Sequence, residues 1–285
     1  MNLISSLRLH YSLFYLPVFF FALGLTPNLN ETRLLWVFLI LHLLVYPSNN
    51  LFSTYYSHQK NESEGSPNKN ALFRFGLVLL VISILLSFKI SGEFASMVAV
   101  FSLGGIVFTH PSLAIKKSPW MTYLIKGTLQ GYFAFAMAYA GLSDFGWGIF
   151  GKSHVLIPGI TLSMMYFGYY PLAEIYLKSN QKSSLKQGIL GTFLLSAFLF
   201  TLSGAGFAWF FIQNGQQDFL WTFLGAMTPM MLYFLVWFNF IRVNPEKYAS
   251  KSWVRGMVSL SVIIFNGFSF YFFLENTQIL QLFAY

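Results

Sequence analysis

The chain of 285 residues has no cysteine. Disulfides, thiolate metal sites and cysteine nucleophiles are therefore excluded. Charge is also scarce. Only 9% of residues are Asp, Glu, Lys or Arg, against about 25% in soluble domains. There are nine acids, and only Asp144 and Asp218 are aspartates. No DxxD or DxxxD spacing occurs anywhere in the chain. HExxH, GxSxG and Walker-type strings are missing too, so zinc-protease, serine-hydrolase and P-loop chemistries have no motif to rest on. His10, His42, His58, His110 and His154 are scattered, with no pair at ligand spacing on one face. A GxGxxG string does occur at Gly146-Trp147-Gly148-Ile149-Phe150-Gly151. No strand precedes it and no βαβ unit surrounds it, so it reads as a chance match in a turn.

Apolar sequence fills the space the charges leave. The chain is 56% hydrophobic and 20% aromatic, with 34 Phe. Such a surface suits lipid and its interfaces. Nine apolar runs are long enough to span a bilayer. They cover about 8–27, 33–50, 71–90, 93–110, 120–142, 154–177, 187–212, 219–241 and 254–274. The first has no small-residue cleavage site and reads as a retained helix. Pro47 lies near the end of the second run, where a breaker is expected. Pro171 lies inside the sixth and is expected to kink it or end its straight part. The expected fold is all-α: one polytopic transmembrane domain over residues 1–285.

Basic residues set the orientation. With the N-terminus in the cytoplasm, 14 of the 17 Lys and Arg fall on the cytoplasmic side. Only Arg33, Lys89 and Lys152 fall outside. Orientation follows this bias in short loops. The formal charge of +8 is thus explained without nucleic acid as a partner. The loops after runs two, four, six and eight share the cytoplasmic face, and a site is expected to open there.

The longest polar stretch runs from Tyr46 to Asn70. It begins Tyr46-Pro47-Ser48-Asn49-Asn50 and continues through Ser53 and Tyr55-Tyr56-Ser57. Three further segments stand out: Thr109-His110-Pro111 with Ala114-Ile115-Lys116-Lys117-Ser118-Pro119; Gln130-Gly131; and Tyr170-Pro171-Leu172-Ala173-Glu174. Together they resemble the UbiA-type intramembrane prenyltransferases over essentially the whole chain. The resemblance implies a nine-helix bundle with the N-terminus cytoplasmic and catalytic loops after helices two and six. It implies an isoprenyl diphosphate or related lipid as ligand, transfer of the prenyl chain to an aromatic or lipid acceptor, and magnesium as cofactor. It also implies an integral protein of the bacterial inner membrane, surrounded by membrane lipids. No protein partner is implied.

The family's first motif carries aspartates where this chain has Asn50, Ser53 and Ser57. Lys116 matches the lysine of the family's segment after helix four, while Ala114 replaces its arginine. Acids of the second motif are replaced near Gln181 and Lys186. Most magnesium ligands are therefore missing. The substrate-binding residues implied are Asn49, Asn50, Ser53, Ser57, Lys116, Lys117, Glu174, Lys178 and Lys182.

Each of these has a plainer reading. Glu174 and Lys178 have the i, i+4 spacing of a local ion pair, or Glu174 is a surviving ligand. Lys116 and Lys117 anchor the chain to anionic headgroups, or bind phosphate. Asn49 and Asn50 cap or join helices, or meet the substrate. Two functions follow: an active transferase, or a catalytically silent homologue that binds lipid or regulates a partner enzyme.

Overall fold

The computed structural model describes residues 7, 9–27, 29–58, 69–110, 119–173, 175–176 and 188–277. Every regular element among them is helical. A 3₁₀ turn, Leu9–Phe14, leads into α1, Leu16–Leu25. Then come α2, Glu31–Leu39; α3, Tyr46–His58; α4, Lys69–Ser87; and α5, Gly92–Thr109. They are followed by α6, Pro119–Thr128; α7, Ala134–Leu142; and α8, Ser153–Ala173. The last four are α9, Ile189–Gln213; α10, Gln217–Val243; α11, Pro245–Tyr248; and α12, Lys251–Thr277.

Among the described residues, seven helices are long and apolar enough to cross a membrane. The expected runs 8–27 and 120–142 fall elsewhere. The first is a shorter apolar helix, Ser12–Leu25. The second is α6 with α7, where Lys126 and Gln130 dilute the apolar character. Outward faces are greasy: Leu85 is 62% and Trp221 69% exposed. Large apolar side chains turned outward in this way suit a hydrocarbon solvent.

Phenylalanine builds the interior. Phe21 of α1 has the rings of Phe135, Phe207, Phe210, Phe211 and Phe272 within 4.8–6.3 Å. Four helices thus meet on one side chain. Gly215, at φ 68°, turns the chain between α9 and α10. Here Gln216 N–H reaches back to Phe211 O at 2.8 Å and Gly215 N–H to Ile212 O at 3.1 Å, the bonding of a Schellman end.

Two π-helical turns shape the part of the bundle that matters below. Ile40–Val45 joins α2 to α3, and Tyr46 N–H bonds Leu41 O. Pro47 follows directly and has no N–H to offer. The shifted register carries the helix past Pro47 to His58, beyond the expected end at 50. Pro47 is therefore inside the helix and does not end it. Leu129–Phe133 joins α6 to α7 in the same way. Both Pro158 and Pro171 lie inside α8. Ile175 and Tyr176, beyond Pro171, are helical as well, so Pro171 does not end the helix within the described residues.

Candidate functional site

From Tyr46 to His58 the polar stretch is helix. Asn50, Ser53 and Ser57 stand at i, i+3 and i+7, so they form one stripe on α3. Asn50 is half-buried and Ser53 exposed; the Ser57 side chain lies outside the described residues. Asn49 points elsewhere. Its carboxamide packs on Gly105 of α5, where an added Cβ would lie 3.0 Å from it. Its Oδ1 is buried with no partner among the described residues. Because the helix continues, neither asparagine is a helix cap. Asn49 is an interhelical contact, and Asn50 faces the stripe. Ser48 ties α3 to α4 by donating to Gly76 O at 2.9 Å.

Lys116, Lys117, Glu174, Lys178 and Lys182 lie outside the described residues. Elements leading to them are placed. Tyr56 meets His110 edge-on at 5.0 Å, so the ends of α3 and α5 are adjacent.

A cluster that the sequence shows only in fragments lies one to three helical turns further in along this helix. Tyr15 stacks on Tyr46 with ring centres 4.1 Å apart and 11° between planes. Tyr46 also meets His42 and Phe101 edge-on, at 5.1 and 5.8 Å. Gln130 Oε1 accepts a short hydrogen bond from the Tyr170 hydroxyl. Tyr123 stacks on Tyr170 at 5.9 Å. Lys126 Nζ stands 5.7 Å from the Tyr170 ring centre. Tyr46, Gln130 and Tyr170 belong to the segments that carry the family resemblance. Tyr15, His42 and Tyr166 do not, and only a hydroxyl or imidazole inside an apolar run marked them.

Local backbone geometry explains why these groups meet. The π turn at Leu129–Phe133 frees the Tyr132 N–H, which Ser163 Oγ accepts at 2.9 Å. Gly131 has no side chain, and a Cβ there would come within 2.4 Å of Ser163 N. The two backbones therefore touch, and Gln130 comes beside Tyr170. At the chain's start, Pro17 cannot donate to Leu13 O. Asn266 Nδ2 donates to that carbonyl instead, at 3.1 Å. The neighbouring Phe14 O accepts from Tyr166 at 2.5 Å. Side chains from two other helices thus satisfy the break that positions Tyr15.

The opposite end of the bundle has a different chemistry. Arg33 and Asp144 form an ion pair, and Arg33 Nε donates to Gly141 O at 2.8 Å. Glu93 accepts from Trp147 N–H at 2.8 Å, and Trp147 Nε1 donates to Ser96 Oγ at 2.8 Å. The GxGxxG string is this short 3₁₀ turn, Trp147–Gly151. A Cβ at Gly146 would overlap the Glu93 carboxylate, the far end of a flexible side chain that would have to move aside.

Magnesium on a diphosphate favours carboxylate and phosphate oxygens. The stripe on α3 supplies one amide and hydroxyls, which are neutral. No group of three His, Asp or Glu side chains among the described residues is placed to hold a metal. The donor set present on α3 does not fit the ion that the fold family implies.

No family sequence model matches the chain, and comparison with curated proteins yields no match. Solved structures do match in fold. A UbiA homologue from Archaeoglobus fulgidus bound to DMAPP and Mg2+ superposes with a TM-score of 0.66 at 16% identity, covering 96% of this chain and 99% of that one. The structure of a UbiA homologue from the same organism gives 0.64 at 17%, covering 94% and 98%. Digeranylgeranylglyceryl phosphate synthase gives 0.62 at 15%, covering 94% and 97%. The chain is a helical membrane protein with the UbiA-type prenyltransferase fold.

Proposed function

We propose that this protein holds an isoprenoid lipid within its helix bundle, with the lipid's polar head toward the end of α3 that carries Asn50 and Ser53. The observation that carries this reading is the likeness along nearly the full chain to a UbiA homologue bound to DMAPP and Mg2+. A further structure of that kind is bound to GPP and Mg2+. The Phe-rich interior is compatible with a long apolar chain, and the stripe of Asn50, Ser53 and Ser57 can hydrogen-bond an oxygenated head. By the excess of basic residues this end faces the cytoplasm, and the N-terminus lies on the same side of a bacterial inner membrane.

A second reading is prenyl transfer. It requires the carbon–oxygen bond of an isoprenyl diphosphate to ionise while the leaving group's charge is neutralised. Lys116, Lys117, Lys178 and Lys182 would bind phosphate oxygens directly, with Asn49, Asn50, Ser53 and Ser57 as neutral donors and Glu174 as the one nearby acid. Magnesium, if bound, would supply charge neutralisation of the diphosphate. The neutral stripe favours binding over turnover, and a silent homologue that presents lipid or regulates a partner enzyme fits it.

The two readings separate in one experiment. Purified full-length protein is extracted for lipid analysis, then incubated with labelled geranylgeranyl diphosphate and aromatic acceptors, with and without magnesium. Co-purifying isoprenoid without product supports the binding reading. Magnesium-dependent product selects transfer, and absence of any isoprenoid binding sinks both.

A further inference from the structure

On the isoprenoid-binding reading, the chain's own start lies in the path of the ligand's tail. Asn50 and Tyr46 stand four residues apart on α3, so they share a face. Tyr46 lies about 6 Å further in, at roughly 1.5 Å per helical residue. Tyr15 lies flat on Tyr46, with 4.1 Å between ring centres and 11° between planes. It also meets Phe101 of α5 edge-on at 6.3 Å. An apolar chain with its head at Asn50 and its tail pointing inward therefore meets Tyr15 within its first few carbons.

The segment that carries Tyr15 is held by contacts that can be exchanged. Leu9–Phe14 is a 3₁₀ turn, and the Tyr15 N–H donates back into it, to Ser12 O at 3.0 Å. Pro17 separates this turn from the bonding of α1, since it has no N–H for Leu13 O. Leu13 O and Phe14 O accept from side chains instead: Asn266 Nδ2 of α12 at 3.1 Å and the Tyr166 hydroxyl of α8 at 2.5 Å. One ring stack and two hydrogen bonds contribute little net energy each, because other partners replace them when they break. The Leu13 side chain is 45% exposed, so it adds no buried anchor. The turn is tied across α3, α5, α8 and α12, and every one of these ties is individually weak.

We propose that Leu9–Tyr15 is an autoinhibitory strap: Tyr15 covers the face of Tyr46 that the isoprenoid chain takes, and the ligand enters by displacing it about the break before Pro17. This rests on the isoprenoid-binding reading above and adds its regulation. The strap lowers the apparent affinity, because the ligand binds only the fraction of molecules in which Tyr15 has left Tyr46. Weakening a tether therefore strengthens binding, and fixing the strap blocks it. A purely structural role for the same contacts predicts no such gain.

The test uses the full chain in lipid nanodiscs with tritiated geranylgeranyl diphosphate and magnesium. The protein has no cysteine, so Leu13→Cys with Asn266→Cys introduces the only thiol pair. A short bis-methanethiosulfonate reagent joins the two, mass confirms the link, and reductant releases it. Linking should weaken binding by about tenfold or more, and reduction should restore it. Leu13→Cys alone, carrying the same reagent, should bind like the wild type. Tyr166→Phe keeps the ring and removes the bond to Phe14 O. It should bind about threefold to tenfold tighter, and melting without added ligand checks that it is folded. Linked protein that binds as tightly as the reduced form overturns the inference and leaves isoprenoid binding intact. So does a loss as large in the singly labelled variant, or a Tyr166→Phe protein that binds no tighter. Failure of the wild type to bind overturns the wider reading as well.

Discussion

The two ends of the bundle spend their polar residues differently. At the end carrying Arg33, three charged side chains have protein partners. Arg33 serves Asp144 and Gly141 O, and Glu93 accepts from the Trp147 backbone. These contacts tie three loops together and leave nothing in that set for a ligand. At the end carrying Asn50, the side chains of α3 and the π turn before it include no acid, lysine or arginine. Several are not satisfied by protein: Asn49 Oδ1 and His42 Nε2 are buried without partners among the described residues. An ion pair and side chain-to-backbone contacts tie one end, where Gln216 Oε1 is also buried without a partner among the described residues, while the contacts of α3 at the other are neutral. The difference teaches that α3 can offer a ligand hydrogen bonds but no charge of its own.

The comparison can be broken or sharpened by four variants. The largest effect is expected at Gly131, where the fold of the Asn50 end depends on backbone contact. Gly131→Ala places a methyl 2.4 Å from Ser163 N. Overpacking of this kind costs about 3 kcal/mol at the upper end of its usual range. The readout is a lower unfolding midpoint in detergent, and an unchanged midpoint would show that the π turn adjusts freely. Next comes the restoration of charge. Asn50→Asp, Ser53→Asp and Ser57→Asp together should raise magnesium-dependent diphosphate affinity about tenfold, or about 1.4 kcal/mol. Isothermal titration measures it; no gain would mean that this face does not meet the phosphates.

Smaller effects test the details. Ser163→Ala leaves the Tyr132 N–H without its 2.9 Å acceptor. The expected loss is about 1 kcal/mol of stability, read from the same unfolding curves. At the Arg33 end, Asp144→Asn removes an ion pair whose acid side chain is 98% exposed. Exposed pairs contribute little, so the midpoint should hardly move. A large drop there would show that the Arg33 end, and not the helix contacts, holds the bundle together.

Much of the fold was legible because membrane helices follow from composition. Runs such as 71–90 and 93–110 lie on α4 and α5, since a bilayer leaves backbone groups no alternative to helical bonding. The run ending at 50 was read short for a physical reason. Pro47 signals a break, but a π turn shifts the bonding register and the helix continues. The second π turn carries no proline and depends on contact between Gly131 and Ser163, which are distant in sequence. On the site, Asn50, Ser53 and Ser57 came from the family resemblance, and all three lie on α3. Lys116, Lys117, Glu174, Lys178 and Lys182 lie outside the described residues. Tyr15, His42 and Tyr166 were not readable as site residues, because a lone polar residue in an apolar run does not name its partner.

By itself, then, the amino-acid sequence determined that this chain enters a membrane as helices. It also determined that positions 50, 53 and 57 carry no charge. Both follow from side-chain chemistry that no packing can alter. Only the tertiary structure decided that Tyr15, Tyr46, Gln130 and Tyr170 share one buried cluster. Helical periodicity fixes which face a residue occupies, but the helix that covers that face is chosen by close packing, here by Gly131 against Ser163 and by the break at Pro17.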